Sequence, residues 1–441
     1  MSGPVGGTVN SAVNSAPNGA VNGAPNGAGS EVTFTQQGMW VTEQLVGVGT
    51  AYHMPLLVHL HGELDTGALT AACAAVVERH PMLTSVVAEV DGELRLVPGA
   101  GVPVRLASPP SPDEEGVAAA VREEILSGFD LETGPLARFT LLRIGPGRHL
   151  LVFVAHHLVF DGQSKDVLVR DLAAFHNGEP PPALPAVDHG RAERDRVAAL
   201  LPAAREFWKP RWREPGETVL LGRALRSRRA GEGRMLHFAA DPEITGLTRF
   251  EVLLAALHVL LLGYGNEQVT TAVDLSTRPP EAADHIGLFV NELPVSSEPS
   301  PEESFRSFAT ALRAGLREVY RFRQVPLARA MPRLRPHAAL VPVSVSYRTR
   351  RDADPVFAGL DASVEWTVFN HAVRGALHLQ CVDGPDGLVV SLRYDPDVVS
   401  DARKVADDLR FLLERARQAP DTPINKILNE TLEKRWVPSP P

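Results

Sequence analysis

HLLVFVAHHLVFDGQS, residues 149–164, decides how this 441-residue chain is read. An apolar run from Leu150 to Ala155 leads directly into two adjacent histidines, and Asp161 and Gly162 follow four residues later. A segment nearly continuous in Leu, Val and Phe predicts a strand covered on both faces. Side chains alternate along a strand, so His156 and His157 are expected to point to opposite sides, one toward a cavity and one into the fold. That divergence argues against zinc: no third or fourth ligand follows at helical spacing and no cysteine is near, so no metal is expected. A single histidine beside an apolar strand is usually structural, but a pair followed by Asp-Gly points to a site.

Working outward, FDLETGPLARFTLLRI places a strand over 138–144, and Gly145-Pro146-Gly147 turns it back into the histidine strand. After Gly162 the spacing of Leu168, Leu172 and Phe175 predicts a helix that stops at Gly178. Upstream lie a helix in FTQQGMWVTEQL, a strand in HMPLLVHLHGEL and a helix capped by Asp65. A strand pair about Asp91-Gly92 and an acidic helix over 113–126 complete this part. The Pro-rich EPPPALPAVD, residues 179–188, marks a composition break. Beyond it come an amphipathic helix over 191–212, an arginine-rich stretch over 222–234 and a buried helix over 250–264. The arginine-rich stretch is expected to be a solvated connector, with docking of an acidic partner as the alternative. A strand in QVTTAVDL, a long loop over STRPPEAADHIGLFVNELPV and a strand in PVSVSYR follow. A hairpin about Gly384-Pro385-Asp386-Gly387 and a closing helix end the order. The resulting division is a disordered tail over 1–30, an N-terminal lobe over 31–185 and a C-terminal lobe over 186–441, of the α/β class.

Composition bounds the function. A formal charge of −9 argues against tracking nucleic-acid phosphates. The longest apolar run, VLLAALHVLLLGY, has 13 residues and is too short to span a bilayer. The first 30 residues carry no charge and no apolar core, so they do not read as a secretory signal. A cytoplasmic monomer without nucleic-acid or membrane partners is expected. Cys73 and Cys381 sit among apolar residues and read as buried free thiols. Dinucleotide and P-loop fingerprints are missing, as is the Gly-x-Ser-x-Gly elbow.

The order of segments resembles the condensation domains of nonribosomal peptide synthetases, of the chloramphenicol acetyltransferase-like superfamily. FTQQGMWVTEQL, LVHLHGELDTGALTAACAAVVERHPML, FDLETGPLARFTLLRI with AHHLVFDGQS, IGLFVNELPV, FRQVPLARAM and PVSVSYR follow the family's order over residues 32 to 420. The resemblance implies two acetyltransferase-like lobes forming a V-shaped pseudo-dimer, with the active site in a tunnel between them. It implies that His157 is the active-site base or orienting residue and that His156 and Gly162 are structural. Asp161 is implied to pair with Arg278. Tyr347, Trp366 and Asn370, on a strand and loop expected to face the first lobe, are the candidate substrate contacts on the acceptor side, with a packing role as the alternative. Donor and acceptor would arrive as thioesters on the phosphopantetheine arms of acyl or peptidyl carrier proteins, and no bound cofactor is needed.

The chain also departs from the family. Leu83, Thr84 and Ser85 stand where the family has leucine, arginine and threonine, and the arginine expected near Val295-Ser296 is absent. The segment before the buried helix is short, so a peripheral helix is expected to be missing. With no adenylation or carrier segment in the sequence, a free-standing enzyme is expected. The leading reading is a condensation enzyme that joins a carrier-tethered acyl or aminoacyl thioester to a small-molecule amine or hydroxyl, giving an amide or an ester. A coenzyme A-dependent acyltransferase and a non-catalytic recruitment platform stand as alternatives.

Overall fold

In the computed structural model, residues 29–433 are described. Most of the tail expected over 1–30 lies outside them, but Ser30 is already paired with Leu96. The first half runs β1 (Ser30–Glu31), α1 (Phe34–Val46), β2 (His53–His61), α2 (Thr66–Arg79), β3 (Ser85–Val90), β4 (Glu93–Pro98), β5 (Val104–Ala107), α3 (Glu114–Leu126), β6 (Ala137–Gly145), β7 (Arg148–His156) and α4 (Ser164–His176). Caps set its helix starts. Thr33 and Gln36 form a reciprocal capping box at α1, and Asp65 and Asp113 accept backbone N–H groups at α2 and α3.

The second half runs α5 (His189–Arg211), β8 (Thr218–Leu220), β9 (Arg223–Leu225), β10 (Ala230–Glu232), β11 (Arg234–Ala240), α6 (Arg249–Gly263), β12 (Val269–Ser276), β13 (Val290–Ser297), α7 (Phe305–Tyr320) and α8 (Leu327–Ala330). It continues with β14 (Val343–Thr349), β15 (Asp361–Glu365), β16 (Ala372–Arg374), β17 (Leu377–Gly384), β18 (Gly387–Tyr394), α9 (Ala402–Gln418) and α10 (Ile424–Glu433).

Two sheets carry the molecule. The first has the order β15-β2-β7-β6-β5 and the second β11-β18-β17-β14-β12-β13. The histidine strand β7 is the central strand of the first, which is why its residues Leu150 to His156 are all buried. Its hairpin partner β6 pairs Phe139 with Phe153 and Leu142 with Leu150. In the second half α6 is the buried helix: every residue from Val252 to Leu261 is buried, including His258, which lies between the hydroxyls of Ser297 and Thr271.

Three features differ from the sequence reading. The loop expected around 276–295 contains the edge strand β13, antiparallel to β12. The arginine-rich stretch carries short strands: β9 pairs with β8 and β10 with β16, while Arg223, Arg226, Arg229 and Arg234 remain exposed. Strand β15, from the second half of the chain, crosses over and pairs with β2 in the first sheet. Between α5 and α6 the described chain is extended, with no helix. None of the described helices is long and apolar enough to cross a membrane.

Candidate functional site

At the end of β7 the backbone N–H of His156 donates to Leu136 O, and that of His157, the next residue, donates to Tyr52 O. The two rings that follow go different ways. Leu158 N–H donates to His156 Nδ1 at 3.1 Å, so the proton of this ring is on Nε2, which donates to Glu43 Oε1 at 3.0 Å. His157 is the reverse. Its Nδ1 lies 2.7 Å from the carbonyl oxygen of Phe160, which can only accept. Nδ1 therefore holds the proton and Nε2 the lone pair.

His157 lines a cavity of about 630 Å³ whose walls come from both halves of the chain. His156 lines a separate recess of about 460 Å³ with Glu43, His53 and Phe129. Burial first, and then the charge of Arg374, push His157 down to about 4, against the pull of the Phe160 carbonyl. The imidazole is neutral at working pH and ready to take a proton.

Asp161 is saturated by its neighbours. Oδ1 accepts from Ser164 N (2.7 Å), Ser164 Oγ (2.8 Å) and Arg278 Nη2 (2.8 Å), and Oδ2 from Phe289 N (3.0 Å). With side chains 2% and 3% exposed, Asp161 and Arg278 form a buried ion pair joining the start of α4 to the loop before β13. Arg278 also donates to the carbonyls of Ala282 and His285 and stacks over Phe289.

Gly162 borders the cavity, and its carbonyl accepts from Arg348. A Cβ there would meet only Arg348 Cδ at 3.6 Å, so the turn itself tolerates a side chain. What the glycine does is leave the cavity wall bare.

The three residues expected on the acceptor side border the cavity, but their polar atoms are engaged within the protein. Tyr347 packs its ring on Phe250 and donates its hydroxyl to Asp383. Trp366 donates Nε1 to Asp354 and lies under Arg350, 3.5 Å from its ring centre. Asn370 donates to Ala51 O and His53 O and accepts from Arg393.

Sequence reasoning missed further polar residues that line the same cavity: Asp274, Ser346, His378, Gln380 and Arg393 of the second sheet, and Arg374 of β16. The signal was present in PVSVSYR. Alternation that sends Val343, Val345 and Tyr347 one way sends Ser344, Ser346 and Arg348 the other. Among the described residues no group of three or more His, Cys, Asp or Glu side chains is placed to hold a metal ion.

Comparison with known proteins places this geometry. The family model for the condensation domain matches residues 29–434. Tyrocidine synthase 3 of Brevibacillus parabrevis is 29% identical over 324 residues, covering 69% of this chain and 5% of that protein. Chondramide synthase cmdD of Chondromyces crocatus is 29% identical over 447 residues, covering 92% of the chain and 11% of that protein. The chain thus spans a small part of the length of these relatives.

Among solved structures, the first condensation domain of the calcium-dependent antibiotic synthetase matches with TM-score 0.75 and 20% identity, over 90% of this chain and 98% of that one. The X-domain of teicoplanin biosynthesis, in its complex with OxyB, matches with TM-score 0.74 and 24% identity, over 92% and 97%. These two likenesses show a shared fold.

Proposed function

The chain belongs to the condensation-domain family, and from that premise we propose that it joins a thioester-bound acyl or aminoacyl group to an amine or hydroxyl acceptor. The donor is delivered on a carrier protein's phosphopantetheine arm, the product is an amide or an ester, and no dissociable cofactor takes part. One observation carries the reading: His157 borders the cavity with Nδ1 tied to the Phe160 carbonyl, which leaves Nε2 as the base.

The acceptor N–H or O–H bonds to the thioester carbonyl carbon while its proton passes to His157 Nε2. The tetrahedral oxyanion then collapses, the C–S bond breaks, and the imidazolium returns the proton to the departing thiolate. Burial and Arg374 disfavour the imidazolium, so the proton moves only as negative charge develops on the reacting atoms. For an alcohol acceptor this help matters more than for an amine, whose free base is accessible near neutrality. Asp161 and Arg278 hold the loop and do not take part in proton transfer.

The test is mass spectrometry of products formed from a panel of loaded carrier proteins with paired amine and alcohol acceptors. His157→Ala is expected to lower turnover by about 100- to 10,000-fold while leaving the melting temperature nearly unchanged. Substantial residual turnover in that variant would sink the general-base role. Equal use of acyl-coenzyme A in place of the loaded carrier would move the reading to a coenzyme A-dependent acyltransferase.

A further inference from the structure

Strands β12, β13, β14 and β17 place four polar side chains in one row across the second sheet. In register, Glu292 is opposite Asp274, Asp274 beside Ser346, and Ser346 beside Gln380. Register partners share a face of the sheet, and Asp274, Ser346 and Gln380 all line the cavity that holds His157. Two carboxylates directly opposite each other on antiparallel strands repel and destabilise the pair. Among the described residues one cation is within ion-pair distance of both, and it stands off: Arg374 Nη2 lies 3.9 Å from Asp274 Oδ1 and 3.7 Å from Glu292 Oε1.

No hydrogen bond from a described residue reaches the Asp274 carboxylate, and Glu292 Oε1 is a buried atom without a hydrogen-bond partner. With Asp274 ionised the trio carries one excess negative charge, and 18% of the Asp274 side chain is accessible, on the cavity side. Burial, opposed by Arg374 and reinforced by Glu292, pushes Asp274 up to about 7, as expected for a carboxylate short of a counter-charge.

Ser346 adds a second polar group. Its Oγ lies 3.1 Å from His378 Nε2, and the other ring nitrogen lies 2.8 Å from Ser344 Oγ. Ser344 is 1% exposed, and this ring is the only hydrogen-bond partner its hydroxyl has among the described residues. Its proton must therefore go to Nδ1. Nε2–H then donates to Ser346, whose lone pairs and own proton are left for the cavity. In this tautomer His378 cannot serve as a base for Ser346, so Ser346 is a binding group and not a nucleophile.

We propose that Asp274, with Ser346 beside it, binds a protonated amine on the substrate that is not the reacting nitrogen, and thereby selects substrates that carry one. The proposal deepens the acyl-transfer reading and names a specificity determinant for it. Tyr52 and Arg374 connect the subsite to His157: the Tyr52 ring lies 6.4 Å from the His157 ring, and Arg374 lies 5.8 Å from the Tyr52 ring centre. The amine would thus bind close to the reacting carbonyl, on either the donor or the acceptor.

Calorimetric binding to the full chain tests this without requiring turnover. One arm pairs a β-alanyl-pantetheine amide with its propionyl counterpart, and the other pairs 1,4-diaminobutane with butylamine. In one arm the additional amine is expected to strengthen binding to the wild type by roughly tenfold or more, and Asp274→Asn is expected to bring the ratio to about one. Which arm responds identifies the donor or the acceptor as the bearer of the amine.

Equal binding within both pairs, or a preference that survives in Asp274→Asn, overturns the proposal. Because the substitution removes a like-charge repulsion, the melting temperature should hold or rise; a clear fall would make Asp274 a structural partner of Arg374 and also overturn it. Wild type that prefers the amine but forms no product would refute the acyl-transfer reading and leave the subsite standing.

Discussion

At the scale of single residues, the HHLVFDG segment separates a histidine that borders the cavity from groups that hold the loop. The Asp161–Arg278 pair is the clearest of the latter, because both carboxylate oxygens of Asp161 are taken by donors of the protein. Arg278→Ala removes the one cation from a carboxylate that is 2% exposed, so a loss of about 3 to 5 kcal/mol in unfolding free energy is expected. Urea denaturation measures it; a variant of unchanged stability and no activity would instead make Arg278 a substrate residue. Both histidines and Asp161 were legible because adjacency on a strand and a short loop are local properties. Tyr347 borders the cavity, but what holds it was not legible, for the opposite reason. Its strand was recognised, but its hydroxyl is held by Asp383 and its ring packs on Phe250, and neither partner is near it in sequence. Asp274 and His378 gave no local signal at all, since their meaning comes from which strands lie beside them.

At the scale of elements, most strands and helices follow from apolar period and caps, and the misses have physical causes. Pro294 argues against a strand in VNELPVSS, yet β13 is an edge strand, where a missing N–H costs little. Strand β15 was invisible because its partner β2 lies some 300 residues earlier in the chain, and pairing at that distance leaves no trace in a local pattern. The crossover that carries β15 is clamped by Arg350. This arginine is 8% exposed, bonds Asp166 of α4 and Asp354 of the crossover, and stacks on Trp366. Its carboxylate partners are about one-third exposed, so solvent screening reduces the value of the clamp, and Arg350→Ala is expected to cost about 1 to 2 kcal/mol. Hydrogen exchange should quicken over residues 350–365 while β7 stays protected. Uniform loss of protection through both sheets would show that the clamp supports the whole fold and not the crossover alone.

At the scale of the whole molecule, buried ionisable groups are distributed through both halves of the chain, and their sum sets how the protein responds to acid. Order of motifs was enough to read an α/β chain of two lobes, but the charge content of the space between them depends on which sheet faces meet. Nine histidines are held below their ordinary value, burial being the first cause for each: His53, His80, His149, His157, His189, His258, His337, His371 and His378. Two carboxylates, Glu193 and Asp274, are pushed up to about 7, also chiefly by burial. The two sets act with opposite sign. A histidine with a depressed value takes up its proton more readily in the unfolded chain, so stability is full above the ordinary value of 6.5 and is lost as pH falls from there toward about 4. A carboxylate with a raised value binds its proton more readily when folded, so it adds stability as pH falls below about 7. Nine groups of the first kind outweigh two of the second, and unfolding near pH 5 should take up protons. The melting temperature is therefore expected to fall steadily from pH 7.5 to pH 5, and scanning calorimetry over that range checks it. A flat or rising profile would mean that the buried histidines are charged in the native state, and with them His157, which could then not begin the reaction as a base.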